Sequence, residues 1–157
     1  MPSTCPICRL HGEGAHRAEE EIARGALWLL RHHPAPSPLA GWLLLDARRH
    51  LGGPLDFTDA EARAWGPAVR HASQLVRRLT GCDRVYLIGF GEGAPHLHLH
   101  LLPRFAADPA SAAWSVADLY RAVAAGERPP ADPDRVRELV AAARELVEPA
   151  LLEGTEG

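Results

Sequence analysis

The sequence predicts an α+β fold, in which an antiparallel sheet has helices packed to one side and extra helices at the C-terminal end. Residues 85–90 and 96–102 are short β-rich segments joined by a turn-like Gly-Glu-Gly-Ala-Pro segment, a pattern typical of an antiparallel hairpin. Apolar residues recur at helical spacing over 65–79 and again over 136–147. A few antiparallel strands with such helices beside them define the α+β class.

The length and composition suit one compact domain. The chain has 157 residues, of which 46% are hydrophobic and 24% are charged, close to the averages of globular proteins. We therefore expect a single domain over 1–157. Within it, the patterns divide the chain into an N-terminal segment over 1–16, a core over 17–105 and a helical extension over 106–157.

The N-terminal part of the core is expected to contribute two further strands. Residues 1–16 have no periodic pattern and are expected to be irregular, and 17–24 are expected to form a short acidic helix. Residues 26–31 and 41–45 are short apolar runs on either side of a proline-rich connector, so both predict strands.

Helix boundary signals mark the other elements. Thr58 and Glu61 form a capping box, in which a hydroxyl and a carboxylate three residues later bind the free N–H groups of a helix start. Gly81 is a typical residue at the end of that helix. Two more helices are expected, one near 114–125 and one that begins at the cap residue Asp132.

The composition excludes several classes of function. The chain has no lysine and no asparagine, which rules out a P-loop lysine, a Schiff-base lysine and an N-glycosylation site. A net charge of −3 argues against a binder of nucleic-acid polymers or anionic membranes. Apolar runs are far shorter than the ~20 residues of a membrane span, and the N-terminus lacks a signal-peptide pattern. Three cysteines do not form a disulfide framework, so we expect a cytoplasmic protein.

The segment 96–102 carries the strongest functional signal in the chain. His96, His98 and His100 alternate with leucines, and in a strand this period of two places the three imidazoles on one face. A polar, solvated strand face that happens to use histidine is disfavoured, because such a face would more plausibly use Thr, Ser, Lys or Glu. Metal ligation and nucleophilic or acid–base chemistry are the two chemical interpretations. Neighbouring members of the triple lie about 6.6–6.8 Å apart along a strand, so two of them could share one metal.

A Cys-x-x-Cys pair lies near the N-terminus. The spacing of Cys5 and Cys8 lets two thiolates bind one tetrahedral Zn²⁺, which then needs two further ligands. A thioredoxin-like redox pair is the competing interpretation, but that motif normally follows a strand and opens a helix. Cys82 stands alone after a helix-ending glycine and is expected to be a small buried core residue.

At this point the sequence resembles a known family, the histidine triad (HIT) proteins. Residues 96–102 match its signature His-φ-His-φ-His-φ-φ, where φ is apolar. Residues 41–50 and 55–58 resemble the strand, basic turn and helix entry of the family, and Pro103-Arg104 follows the triad as it often does there. The resemblance covers about residues 5–105.

The resemblance implies nucleotide chemistry and a site for it. In HIT proteins the middle histidine, here His98, attacks the α-phosphorus of a nucleoside phosphate derivative and forms a nucleotidyl-imidazole that is then hydrolysed. His100 would stabilise charge on the phosphate or assist the leaving group. His32, Trp42 and Arg104 are expected to contact the substrate, which would be a dinucleoside polyphosphate or a phosphoramidate. Magnesium is not strictly required.

The resemblance also implies a metal and a partner. Some HIT-like proteins carry the same cysteine pair, with a zinc ion completed by a histidine after the basic turn and by the first triad histidine. Here that set is Cys5, Cys8, His50 and His96, a closed structural zinc site. HIT-like proteins typically pair through a helix and a sheet edge, so we expect a symmetric homodimer.

Two departures from the family pattern leave other functions open. Trp42 stands where the family often has a histidine, and an indole donates one hydrogen bond but accepts none. Residues 91–95 lack the amide or hydroxyl that the family places near the phosphate. The alternative function is therefore a zinc-stabilised module that binds nucleotides with little or no turnover. A third possible function is that of a metal-dependent hydrolase or cupin-like oxygenase, in which His96, His98 and the carboxylate of Glu92 would bind the metal.

Overall fold

A five-stranded antiparallel sheet with the strand order β1-β2-β3-β5-β4 forms the centre of the molecule. The computed structural model describes residues 4–154, apart from the side chains of residues 15 and 16. The ends of the predicted terminal segments, residues 1–3 and 155–157, lie outside the described residues. The strands are β1 (Glu21–Arg24), β2 (Trp28–His32), β3 (Leu43–Ala47), β4 (Arg84–Gly89) and β5 (His98–Arg104).

The two longest helices cover one face of this sheet. Residues 4–154 form the α-helices α1 (Pro6–Leu10), α2 (Gly14–Glu19), α3 (Asp59–Thr80), α4 (Val116–Ala124), α5 (Pro133–Leu146) and α6 (Ala150–Glu153). The long helix α3 contacts β3, β4 and β5, and α5 contacts β1 and β2. This arrangement is the predicted α+β architecture, so that prediction is confirmed.

The two faces of the sheet are separated by the alternation of side chains along each strand. Leu43 and Leu45 of β3 enter the main apolar core beneath α3, α5 and α6. Trp42 and Leu44 point the other way and form a second apolar cluster with Val116 of α4. The C-terminal extension therefore supplies helices to both faces, and α4 packs against the face that α3 leaves open.

The hairpin of β4 and β5 has the predicted antiparallel pairing, but its second strand starts later than expected. β5 begins at His98, and the preceding residue Leu97 is bonded to residues outside β4. The Leu97 N–H donates to Leu51 O at 2.7 Å, and the Ala47 N–H donates to Leu97 O at 3.0 Å. Only two of the three histidines therefore lie in the regular strand, and His96 turns toward the N-terminal segment.

The prediction for the first 24 residues was wrong in two respects. The N-terminal segment is not irregular, because it contains helix α1, whose first turn is capped by Cys5. The segment expected to be an acidic helix ends in strand β1, which pairs with β2 in the register Glu21 to Arg31. Ladder hydrogen bonds and the Arg144 guanidinium, which donates to Glu21 O at 2.8 Å, favour the strand over the local helical propensity.

Helix α3 has the predicted boundaries. The Glu61 N–H donates to Thr58 Oγ1 at 3.2 Å, and the Thr58 N–H donates to Glu61 Oε2 at 2.7 Å, which completes the capping box. Gly81 ends the helix with a φ of 68°, a conformation that favours glycine. Within residues 4–154, no helix is both long enough and apolar enough to cross a membrane.

Candidate functional site

A cavity of about 540 Å³ opens on the face of the sheet opposite α3. Residues of β2, β3 and β5 form its floor, and residues of α1, of the segment after β4 and of α4 form its walls. The walls are mostly apolar, with Ile7 and Leu10 from α1 and Phe90 from the loop. A volume in the range of small-molecule sites and apolar walls around a few polar groups are typical of a ligand pocket.

His98 faces this cavity with one ring nitrogen already engaged. Its Nδ1 lies 2.5 Å from the carbonyl oxygen of His96, and a carbonyl can only accept. Nδ1 therefore carries the proton, and in the neutral ring Nε2 keeps its lone pair. This is the tautomer that a nucleophilic imidazole needs.

His100 has the opposite tautomer. The indole N–H of Trp42 donates to His100 Nδ1 at 3.0 Å, so the proton of the neutral ring is on Nε2. Burial, together with the nearby His98, lowers the pKa of His100 to about 3. At neutral pH His100 is therefore an uncharged donor. The indole cannot accept, but His100 Nδ1 needs only a donor.

His33, rather than His32, lies in the cavity. His32 is fully buried on the core face of β2, where its Nε2 accepts the Gly41 N–H at 2.9 Å. Since successive side chains along a strand alternate, the residue after His32 faces the cavity, and His32, where a substrate contact was expected, does not. His33 donates from Nδ1 to Pro34 O at 2.8 Å, and burial lowers its pKa to about 4.

Aromatic rings surround His33 inside the cavity. The ring centroids of His33 and Trp42 are 5.0 Å apart, and those of His33 and Tyr120 are 5.7 Å apart. Tyr120 belongs to α4, in the part of the chain that the family resemblance does not cover. Such rings offer stacking surfaces for a planar ligand.

Arg104 is held away from the cavity lining. Its Nη1 donates to Asp108 O at 3.0 Å, to Ser111 Oγ at 3.0 Å and to Phe105 O. These bonds tie the end of β5 to the loop that precedes α4. The phosphate contact expected at Arg104 is therefore not among the contacts that line the cavity.

A second cluster brings together the four predicted zinc ligands. The ligand atoms of Cys5, Cys8, His50 and His96 all lie within 4.8 Å of one another. The Sγ to Nδ1 distances are 3.4 Å for Cys8 to His50, 3.4 Å for Cys8 to His96 and 3.6 Å for Cys5 to His96. With Zn–S near 2.3 Å and Zn–N near 2.0–2.1 Å, a tetrahedral site has S to N edges of about 3.5–3.6 Å. The donor set and its spacing fit zinc.

Hydrogen bonds orient these ligands. His96 donates from Nε2 to Ala47 O at 2.7 Å, which leaves Nδ1 as the lone-pair nitrogen on the cysteine side. The Cys8 N–H donates to Cys5 Sγ at 3.5 Å. Among the described residues, the convergent ligand set does not include His98 or Glu92, so a metal held by these two with His96 has no geometric support.

The sequence did not reveal a buried ionic network between the two sites. Arg31 donates from Nε to Asp46 Oδ2 at 2.6 Å, and His11 Nε2 lies 2.9 Å from the same oxygen. Burial alone would raise the pKa of Asp46, but the Arg31 guanidinium and the His11 hydrogen bond hold it at about 2. The sequence does contain a signal for this network. Arg31 and Asp46 are single charged residues of opposite sign in otherwise apolar strands, on the cavity side of the sheet.

Comparison with known proteins finds solved structures with the same fold. A hypothetical histidine triad nucleotide-binding protein from Sulfolobus tokodaii is 15% identical, with a TM-score of 0.63 and 90% of each chain covered. A Zn-bound histidine triad family protein from Mycobacterium smegmatis is 18% identical, with a TM-score of 0.61 over 90% of this chain and 94% of that one. A histidine triad protein from Bradyrhizobium japonicum is 24% identical, with a TM-score of 0.60 over 87% and 96%.

These similarities establish the fold. The chain also spans 28% of the C. elegans NitFhit protein, to which it is 17% identical with a TM-score of 0.60. No family model matches the sequence, and no curated protein does. The chain therefore has the histidine triad fold, as the sequence resemblance implied, with a convergent Cys₂His₂ cluster in the same structure.

Proposed function

We propose that this chain is a nucleotide hydrolase or nucleotidyl transferase that acts on the α-phosphorus of a nucleoside phosphate derivative through His98. The observation that carries the proposal is the tautomer of His98, whose Nδ1 is bound to His96 O while the ring lines the cavity. Dinucleoside polyphosphates and nucleoside phosphoramidates are the expected substrates. The shared histidine triad fold supports the proposal.

In the first step, the Nε2 lone pair of His98 forms a bond to the α-phosphorus. The bond from phosphorus to the leaving-group oxygen, or nitrogen in a phosphoramidate, breaks at the same centre. The leaving atom keeps the electron pair and takes a proton from solvent. His100 donates its Nε2–H to a phosphate oxygen, which stabilises the charge that builds there.

In the second step, water attacks the same phosphorus and the bond between phosphorus and His98 breaks. The electron pair returns to Nε2, the water proton passes to solvent, and a nucleoside monophosphate is released. A covalent intermediate thus divides one difficult displacement into two easier ones. Magnesium is not strictly required, because the attacking group is a side-chain nitrogen.

We further propose that Cys5, Cys8, His50 and His96 hold one structural Zn²⁺. Four protein ligands close the coordination sphere, so the ion would supply folding energy and leave no open position for chemistry. The ion would anchor α1, which forms a wall of the cavity. The zinc site would in this way shape the cavity beside His98.

The chain is also proposed to form a homodimer. β4 is an edge strand of the sheet, and Leu87 on it is 48% exposed while Phe90 just beyond it is 43% exposed. An unpaired edge with exposed apolar residues needs covering, and a second copy of the chain is the simplest cover. Light scattering is expected to report a dimer at high micromolar concentration, and a monomer there would contradict the proposal.

Mass spectrometry of the intact protein tests the chemistry. Protein quenched at neutral pH during turnover of a dinucleoside polyphosphate should carry the added mass of one nucleotidyl group, mapped to His98. His98→Ala should lose the adduct and several orders of magnitude in kcat, because the whole two-step route depends on the nucleophile.

The matched variant His100→Ala keeps the nucleophile. It should still form the adduct while losing about 10²–10³-fold in rate, the typical effect of one lost charge-stabilising donor. Turnover by His98→Ala at a rate comparable to wild type would overturn the assignment. Wild-type protein that binds nucleotides but turns none over would instead support the binding-module function.

A further inference from the structure

We propose that Arg31 is the anion-binding residue of the cavity, and that its Nη1 donates to the phosphate oxygens of the substrate held at His98. The identity of the anion as a nucleotide phosphate rests on the proposed function. The existence of an anion site rests on Arg31 alone.

The Arg31 guanidinium is held rigidly by one edge. Nε donates to Asp46 Oδ2 at 2.6 Å and Nη2 donates to Asp46 Oδ1 at 3.2 Å, so the carboxylate occupies the side formed by these two nitrogens. In a planar guanidinium, Nη1 then lies on the side away from Asp46. Nη1 is buried and has no hydrogen-bond partner among the described residues.

A buried cationic donor without a partner is costly. Leaving such a group unsatisfied carries its full desolvation penalty, so nearly all buried polar groups in folded proteins are paired. The Arg31 side chain is only 2% exposed, and the residue lines the same cavity as His98 and His100. A bound oxyanion would supply the missing acceptor.

The register of the sheet brings this guanidinium toward the reacting histidines. Asp46 of β3 is directly opposite His98 of β5, and neighbouring strands are about 4.7–4.9 Å apart. Arg31 reaches Asp46 diagonally from β2, where its own partner is Leu44. Arg31 therefore shares a row with His100, and its guanidinium reaches the carboxylate that is opposite His98, on the cavity face of the sheet.

In the described part of the chain, the cavity lining contains one carboxylate, Glu92, and two guanidinium groups, of which only Arg31 is shielded from solvent. His33 and His100 are neutral at pH 7, since burial lowers their pKa values to about 4 and about 3. Arg121 lines the cavity as well, but its side chain is 73% exposed and is paired with Asp118 at 2.9 Å. Of the two guanidinium groups, Arg31 is the one with a buried N–H group that has no partner among the described residues, so it offers a phosphate in this cavity an unpaired donor.

Calorimetric binding of nucleoside 5′-monophosphates and of the parent nucleosides tests the proposal without turnover. Wild type should bind the monophosphate more tightly than the nucleoside. Arg31→Lys keeps a cation beside Asp46 but removes Nη1. The preference for the monophosphate over the nucleoside should therefore fall about tenfold or more, the typical value of a charge-assisted hydrogen bond. The nucleoside affinity should stay within about twofold, and Arg135→Lys, the matched control at an exposed arginine of α5 outside the cavity lining, should keep the wild-type preference.

Thermal melting checks that Arg31→Lys is folded. If it is not, the double variant Arg31→Gln/Asp46→Asn removes both charges together, and the same loss of preference is expected from it. Orthophosphate alone is titrated in parallel against wild type and the variant.

The outcomes separate this proposal from the proposed function. Phosphate binding that depends on Arg31, with no nucleotide binding by wild type, would support the anion site and contradict the nucleotide function. A monophosphate preference that the Arg31 variants leave unchanged would overturn the anion site. So would wild-type protein that binds neither orthophosphate nor monophosphate.

Discussion

Two buried neutral histidines should make the protein sensitive to mild acid. His33 and His100 have pKa values lowered from 6.5 to about 4 and about 3, chiefly by burial. An unfolded chain exposes both rings at their ordinary pKa. Between pH 6.5 and about 4 these two rings therefore let the unfolded state bind up to two more protons than the folded state. The stability that they contribute is full above pH 6.5 and is lost as the pH falls.

The size of the effect follows from these pKa values. At pH 5 both rings remain neutral in the folded protein, whereas both are almost fully protonated in the unfolded chain. Each ring then lowers the free energy of unfolding by about 2 kcal/mol between pH 7 and pH 5, or about 4 kcal/mol together. That is a large share of the 5–15 kcal/mol typical of a domain. Asp46 stays ionised in this window because its pKa is about 2.

Urea denaturation at pH 7, 6 and 5 with excess zinc measures this loss. Protonation of the metal ligands acts in the same direction, so a variant is needed to isolate one ring. His33→Phe removes the imidazole from the cavity and should reduce the loss between pH 7 and pH 5 by about 2 kcal/mol. Equal unfolding free energies of wild type at pH 7 and pH 5 would refute the reasoning. A pH dependence unchanged by His33→Phe would also refute it.

Two further predictions concern the metal and the indole. Wild type should contain one equivalent of zinc by elemental analysis, and Cys8→Ser should lose most of it and melt roughly 10 °C lower; zinc-free wild type would contradict the site. Trp42→Phe removes the donor to His100 Nδ1 and should lower kcat about tenfold, while Trp42→His, which retains a donor, should lose less. Equal kcat values for Trp42→Phe and wild type would contradict a positioning role for the indole.

The sequence was sufficient where the information is local. The period of two over 96–102 predicts a strand, and the capping box at Thr58 predicts the start of α3, because both depend on residues a few positions apart. The α+β class followed from these elements. The resemblance to histidine triad proteins rested on a similarly local motif, and the fold comparison supports it.

The zinc ligand set is intermediate between these cases. The spacing of Cys5 and Cys8 predicts two ligands, but the other two were implied only by the family resemblance. His96 is 91 residues from Cys5, and it reaches the cysteines because β5 begins after it. No local pattern states where a strand will begin.

Only the tertiary structure decided which side chains share the cavity. The bonds of His32 to Gly41 and of Arg104 to the 105–111 loop take both residues away from it, and Tyr120 enters it from a helix with no family signature. The link between Arg31 and Asp46 likewise joins two neighbouring strands. Side-chain direction in a strand depends on exact parity, and contacts across strands depend on register. Both are set by the packing of the whole sheet against its helices, which short-range spacing in the sequence does not determine.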